Sequence, residues 1–70
     1  KADFALGLAL ASLNRHDEAL RALDAFLTRV PNDGDVPAAY VAIGRSAAAL
    51  DQRQVAEGAY RTALRLVPGT

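Results

Sequence analysis

The chain has 70 residues, eight basic and eight acidic, and contains no cysteine. This length allows one small domain, and without cysteine neither a disulfide nor a thiolate metal site can form. The charges balance and are scattered, so the basic stripe typical of a nucleic-acid-binding protein is missing. No apolar stretch reaches the roughly 18 residues that a membrane span needs. Alanine and leucine dominate the apolar residues, which favours helices.

Four helices are predicted, near residues 2–13, 17–30, 36–50 and 53–67. The first is densely apolar and ends at Asn14, a residue type that tolerates the left-handed conformation that closes helices. Asp17 is the predicted N-cap of the second helix, followed by Glu18, which suits the positive end of the helix dipole. Apolar residues then recur at spacings of three and four, the pattern of an amphipathic helix, until Pro31 ends it.

A linker of turn-forming residues, 31–35, leads into the second half of the chain. Asp35 is the predicted N-cap of the third helix, and Pro37 is tolerated in its first turn. A second turn at residues 51–52 separates the third helix from the fourth, which ends at Pro68 and Gly69.

The two halves of the chain repeat each other when the sequence is shifted by 37 positions. The shift places glycine on glycine, proline on proline and large apolar residues on one another: Gly7 on Gly44, Leu13 on Leu50, Leu27 on Leu64, Val30 on Val67 and Pro31 on Pro68. One consistent register across these residue types indicates an internal repeat. We therefore expect one structural domain made of two units, 1–33 and 34–70.

The repeated positions resemble the tetratricopeptide repeat family. The residues that carry this resemblance are Leu6, Gly7, Ala19, Leu23, Phe26 and Pro31 in the first unit, and Tyr40, Ile43, Gly44, Ala56, Tyr60, Ala63 and Pro68 in the second. The resemblance implies an all-α fold of four antiparallel helices that form a short right-handed α-solenoid. It also implies a non-catalytic protein-interaction scaffold. Because repeats bury their apolar faces by stacking, we expect further repeats, a capping helix or a second copy to cover the ends.

Several features depart from the family pattern, among them Val55 and Glu57 at the start of the fourth helix. Asp3 stands where a large aromatic residue is usual, and Phe26 stands where a small residue is usual. The phenyl ring must therefore fill a gap, or the helices must move apart. The period of 37 also exceeds the family's usual length of about 34, and the extra residues lie in the linker. Gly7 and Gly44 keep the small size that lets paired helices approach closely.

A narrower resemblance rests on the junction from Pro31 to Tyr40 and on the Pro-Gly-Thr ending at 68–70. Both are similar to the C-terminal repeat domain of the Tol–Pal-associated cell-division coordinator family of Gram-negative bacteria. This likeness implies a periplasmic location and protein partners of the cell envelope. The alternative is another bacterial repeat protein, and the cytoplasm also remains open.

In the resembled fold, the first helix of each pair lines a concave groove. The positions that match are Phe4, Leu8, Ala11, Ser12, Val41, Ala42, Arg45 and Ala48, flanked by Lys1, Ala5, Ala38 and Ala49. This surface is apolar with one central arginine, and a single arginine is too little for the carboxylate clamp of some family members. An apolar groove suits an amphipathic helix or an extended apolar segment. The alternatives are that a further helix of the same protein or a second copy fills it, and that Arg45 is simply solvated or paired with Asp3 or Asp51.

No catalytic, cofactor or metal residue is predicted. His16, the only histidine, lies in a predicted turn, where a structural role is the simpler explanation. The segment 32–35 lacks the further acids and the closing glutamate of a calcium loop. The leading hypothesis is a protein-binding scaffold. The alternatives are an oligomerisation segment that self-associates through its apolar faces and an accessory domain of a multidomain enzyme.

Overall fold

A computed structural model describes residues 2–29 and 34–66 of the chain. These residues form four helices, α1 (Ala2–Ser12), α2 (His16–Arg29), α3 (Val36–Ala49) and α4 (Arg53–Leu66), and no strand. The prediction of an all-α fold is confirmed for this part of the chain. The predicted ends at Val30, Pro31, Val67 and Pro68–Gly69, and most of the predicted linker, lie outside the described residues.

The C-termini of α1 and α3 are closed by the same hydrogen bonds, 37 positions apart. Asn14 and Asp51 both have a positive φ, 62° and 60°. The N–H of Arg15 donates to the carbonyl of Leu10, and the N–H of Gln52 donates to the carbonyl of Ala47, both at 2.8 Å. In each case a residue with left-handed backbone is followed by one whose N–H donates to the carbonyl five positions earlier. This arrangement is the Schellman motif. The prediction that Asn14 closes the first helix is confirmed.

The N-termini of α2 and α3 differ from the prediction in detail. The N–H of Ala19 donates to the carbonyl of Arg15 at 2.9 Å, so α2 begins at His16, and Asp17 lies in its first turn instead of capping it. Asp35 does occupy the N-cap of α3, with a proline in the first turn as predicted, but its side chain makes no capping hydrogen bond.

The core lies where α2 meets α3. Leu23 and Phe26 of α2 pack with apolar residues of α3, and both are almost fully buried. α1 packs on α2, α3 packs on α4, and α1 also touches α3. The helices are held together mainly by apolar burial, since the ion pair that joins α1 to α2, between Asp3 and Arg29, has an exposed arginine and contributes little.

Each helix pair is closely packed at a glycine. A Cβ atom built on Gly7 would lie 2.7 Å from Cγ and Cδ2 of Leu23, and one built on Gly44 would lie 2.8 Å from ring carbons of Tyr60. Carbon atoms at these separations overlap, so a side chain at either position would force Leu23 or Tyr60 to move. Leu23 and Tyr60 are themselves 37 positions apart. The close approach predicted for both glycines is therefore present.

Phe26 fills the gap that its size implied. Its ring centroid lies 5.2 Å from that of Phe4, with the two planes tilted by 37°, within the usual range for an attractive aromatic pair. The equivalent positions in the second unit are the smaller residues Ala63 and Val41. The aromatic pair is therefore a feature of the first unit alone.

Candidate functional site

A groove of about 730 Å³ runs between α1 and α3. Its α1 wall is made by Phe4, Leu8, Ala11 and Ser12, and its α3 wall by Ala38, Val41, Ala42, Arg45 and Ser46, with His16 of α2 at one end. The residues alternate at spacings of three and four on each helix, so they project from a single helix face. The result is a largely apolar surface with a polar end, and we call it the α1–α3 groove.

Arg45 is the only charged residue that residues 2–29 and 34–66 place in the wall of this groove. It is exposed, and it forms no ion pair within residues 2–29 and 34–66. The two acids considered as its partners are engaged elsewhere: Asp3 pairs with Arg29 at 3.3 Å, and Asp51 lies 4.0 Å from Arg53. Neither Asp3 nor Asp51 pairs with Arg45 in the structure, so the alternative that agrees with it is a solvated Arg45. The guanidinium keeps its five donors available to a ligand.

The polar end of the groove contains a histidine–serine pair. Nδ1 of His16 and Oγ of Ser46 lie 3.2 Å apart and share a hydrogen bond. Ser46 is completely buried, and a buried hydroxyl is costly unless it has such a partner. The hydroxyl is hidden from solvent, and this pair ties α2 to α3. The structure places His16 in a structural contact.

Seven of the eight predicted site residues line the α1–α3 groove. The eighth, Ala48, is exposed on α3 beyond the end of the groove wall. Of the flanking positions, Ala38 lines the groove, Ala5 and Ala49 do not, and Lys1 lies outside the described residues. Sequence reasoning missed His16 and Ser46 as wall residues. The sequence feature that could have identified Ser46 is its hydroxyl group, which stands among apolar residues of α3.

Neither a metal site nor a membrane-spanning helix is found among the described residues. Within them, no three histidine or acidic side chains come together as metal ligands would. Asn32 and Asp33, the first half of the segment compared with a calcium loop, lie outside the described part. None of the four helices is long and apolar enough to cross a membrane.

Comparison of the chain with models of protein families, with curated proteins and with solved structures found no match. The resemblance to tetratricopeptide repeats therefore stays a prediction that rests on the residues quoted above.

Proposed function

We propose that this chain is a two-repeat segment of tetratricopeptide type that binds a protein partner in the α1–α3 groove. Support for the repeat arrangement comes from the recurrence of the same local structure after 37 residues. The turn hydrogen bonds and the glycine contacts both recur at this spacing. A repeat that stacks its helix pairs leaves the first helix of each pair free to form one wall of a continuous binding surface.

The observation that carries the proposal is the composition and size of the groove. Its volume of about 730 Å³ lies within the range of about 300–1,000 Å³ typical of ligand sites. Leu8 is a large apolar side chain that stays exposed at the rim. An apolar strip with a few polar groups matches one face of an amphipathic helix or alternate side chains of an extended peptide.

The charge in the groove points to the chemistry of the partner. Arg45 is exposed and unpaired within the described residues, and no acidic side chain lines the groove with it. A ligand with aspartate or glutamate beside its apolar residues would supply the missing counter-charge. The guanidinium can bind such a carboxylate through two parallel hydrogen bonds. The proposed ligand is therefore an apolar peptide face with an acidic side chain within it.

Selection from a displayed library of short peptides tests this proposal. Peptides that bind the chain are expected to be enriched in leucine, phenylalanine and an acidic residue. Their affinity should fall at least about tenfold on Leu8→Glu or Arg45→Glu, which corresponds to about 1.4 kcal/mol. Leu13→Glu is the matched control, because Leu13 is an exposed leucine outside the groove.

The charge reversal gives a second, sharper readout. A lysine in place of the acidic residue of the selected peptide should weaken binding to the parent chain and restore binding to the Arg45→Glu variant. Restoration places the carboxylate of the peptide at Arg45. If the library yields no binder, or if Leu13→Glu weakens binding as much as the groove variants do, the proposal is wrong.

A further inference from the structure

The two ends of the molecule expose residues whose counterparts are buried inside it. In the junction between α2 and α3, Leu23 is fully buried and Ile43 is 9% exposed. Their counterparts 37 positions away are Tyr60, which is 37% exposed, and Leu6, which is 51% exposed. Leu64, the counterpart of the half-buried Leu27, is 66% exposed. The junction between α2 and α3 therefore occurs once inside the chain. The α2 half of that junction recurs as an exposed face on α4, and the α3 half recurs as an exposed face on α1.

We infer that a second copy of this chain covers these faces. In this contact, α1 of one copy packs on α4 of the next as α3 packs on α2 within the chain. The internal junction supplies the geometry, because the same helix-pair structure recurs after 37 residues. On α4, Tyr60 and Leu64 are four residues apart and so share a helix face, and exposed apolar residues grouped in this way mark an interaction surface. Leu6 would then occupy the position of Ile43, and Leu64 that of Leu27.

The charges at the two ends are complementary in this arrangement. Beside the internal junction lies a cleft lined by α2, α3 and α4, to which α2 contributes Asp24, Leu27 and Thr28, and α3 contributes Tyr40 and Ile43. The counterparts of the α2 residues, 37 positions later, are Arg61, Leu64 and Arg65 of α4. The counterparts of the α3 residues, 37 positions earlier, are Asp3 and Leu6, which the second copy would supply.

The contact would therefore bring the carboxylate of Asp3 to Arg61 and Arg65. Arg61 and Arg65 form no ion pair within the described residues. Asp3 already pairs with Arg29, but a carboxylate offers about four lone pairs and accepts more than one arginine. An apolar contact with an acid on one side and two bases on the other favours the α4-to-α1 pairing over α1 with α1 or α4 with α4.

This contact joins two different surfaces, so each bound copy still has one free end. A heterologous interface of this kind builds chains or rings instead of a closed symmetric dimer. It also allows a complementation test, because a substitution in α1 leaves the α4 face intact, and a substitution in α4 leaves the α1 face intact.

The test measures molar mass by sedimentation velocity over a concentration series of the 70-residue chain. The mass of the parent is expected to rise with concentration beyond that of a dimer, while Leu6→Glu and Leu64→Glu each stay monomeric. An equimolar mixture of these two variants should form a dimer and nothing larger, since each supplies one intact face. Leu8→Glu, the matched control in the α1–α3 groove, should associate as the parent does. Both end positions are more than half exposed, and far-UV circular dichroism checks that the variants keep their helices.

Several outcomes would overturn the inference. A parent chain that remains monomeric at every concentration shows that a second copy does not cover these faces. A mixture of the two variants that fails to form a dimer shows that the contact does not join α4 to α1. If Leu8→Glu abolishes association and Leu6→Glu does not, the second copy occupies the groove instead. None of these results depends on whether a peptide binds the groove.

Discussion

Replacing each of three helical glycines by alanine tests the helix spacing directly. At Gly7 the new methyl group would overlap Leu23, which is fully buried and cannot move into solvent. At Gly44 it would overlap the ring of Tyr60, which is partly exposed and can swing outward. At Gly58 it would meet nothing within 4 Å. The three positions thus share the same chemistry and differ only in what surrounds them.

The expected changes in unfolding free energy follow from two opposing effects. Glycine to alanine inside a helix gains about 1 kcal/mol from the reduced backbone entropy of the unfolded chain. Overpacking a tight contact costs about 1–3 kcal/mol. Gly58→Ala should therefore stabilise the chain by about 1 kcal/mol, and Gly7→Ala should lose most or all of that gain or destabilise the chain. Gly44→Ala should lie between them.

Thermal unfolding followed by far-UV circular dichroism measures this order. The gap between the Gly58 and Gly7 variants is expected to be about 1–3 kcal/mol, which is at least about 4 °C in Tm for a domain of this size. If Gly7→Ala stabilises the chain as much as Gly58→Ala does, α1 and α2 are not as close as the structure has them, and the reasoning fails.

Three further predictions concern buried contacts and a turn. Phe26→Ala should cost about 3–5 kcal/mol, most of the stability available to so small a core, and so should remove most of the helical dichroism signal. Ser46→Ala, which removes the partner of His16, should lower the urea-unfolding free energy by about 1 kcal/mol, and Ser46→Val should lower it further by overfilling the site. Asp51→Gly should raise Tm, and Asp51→Ala should lower the unfolding free energy by about 1 kcal/mol, because only glycine adopts a positive φ without cost. Equal Tm values for these two variants would contradict the left-handed conformation of Asp51.

Much of the fold was predictable because its signals are local. The Schellman turn at Asn14 depends on one residue that tolerates a positive φ, and the four helices depend on apolar spacing within single segments. The groove residues of α1 and α3 were assigned from the family resemblance, and residues three and four apart share a helix face wherever that helix packs. Seven of them come together for this reason.

The predictions that were wrong or incomplete concern residues shared by two helices, or residues that are far apart in sequence and in contact in the fold. Arg15 closes α1 through its N–H and accepts the first hydrogen bond of α2 through its carbonyl, so the turn has no room for Asp17 as a separate N-cap. The contact between His16 and Ser46 joins residues 30 positions apart, and no local pattern in the sequence signals such a pair. Ala48 was assigned to the groove from the family resemblance, but it is exposed on α3 and does not line the groove.

The position of Ala48 gives the two proposals a common consequence. A shift of 37 positions carries Ala11, which lines the α1–α3 groove, onto Ala48, and carries Leu8 onto Arg45. If a second copy stacks on α4, then α3 and the incoming α1 form the next length of the same groove, and Ala48 becomes part of its wall. A peptide long enough to span both lengths should then bind the associated parent chain more tightly than the monomeric Leu64→Glu variant, while a short peptide should bind both equally. Titration of a long and a short version of one selected peptide against both chains separates these cases. Equal affinities for the long peptide would mean that the groove does not continue across the contact.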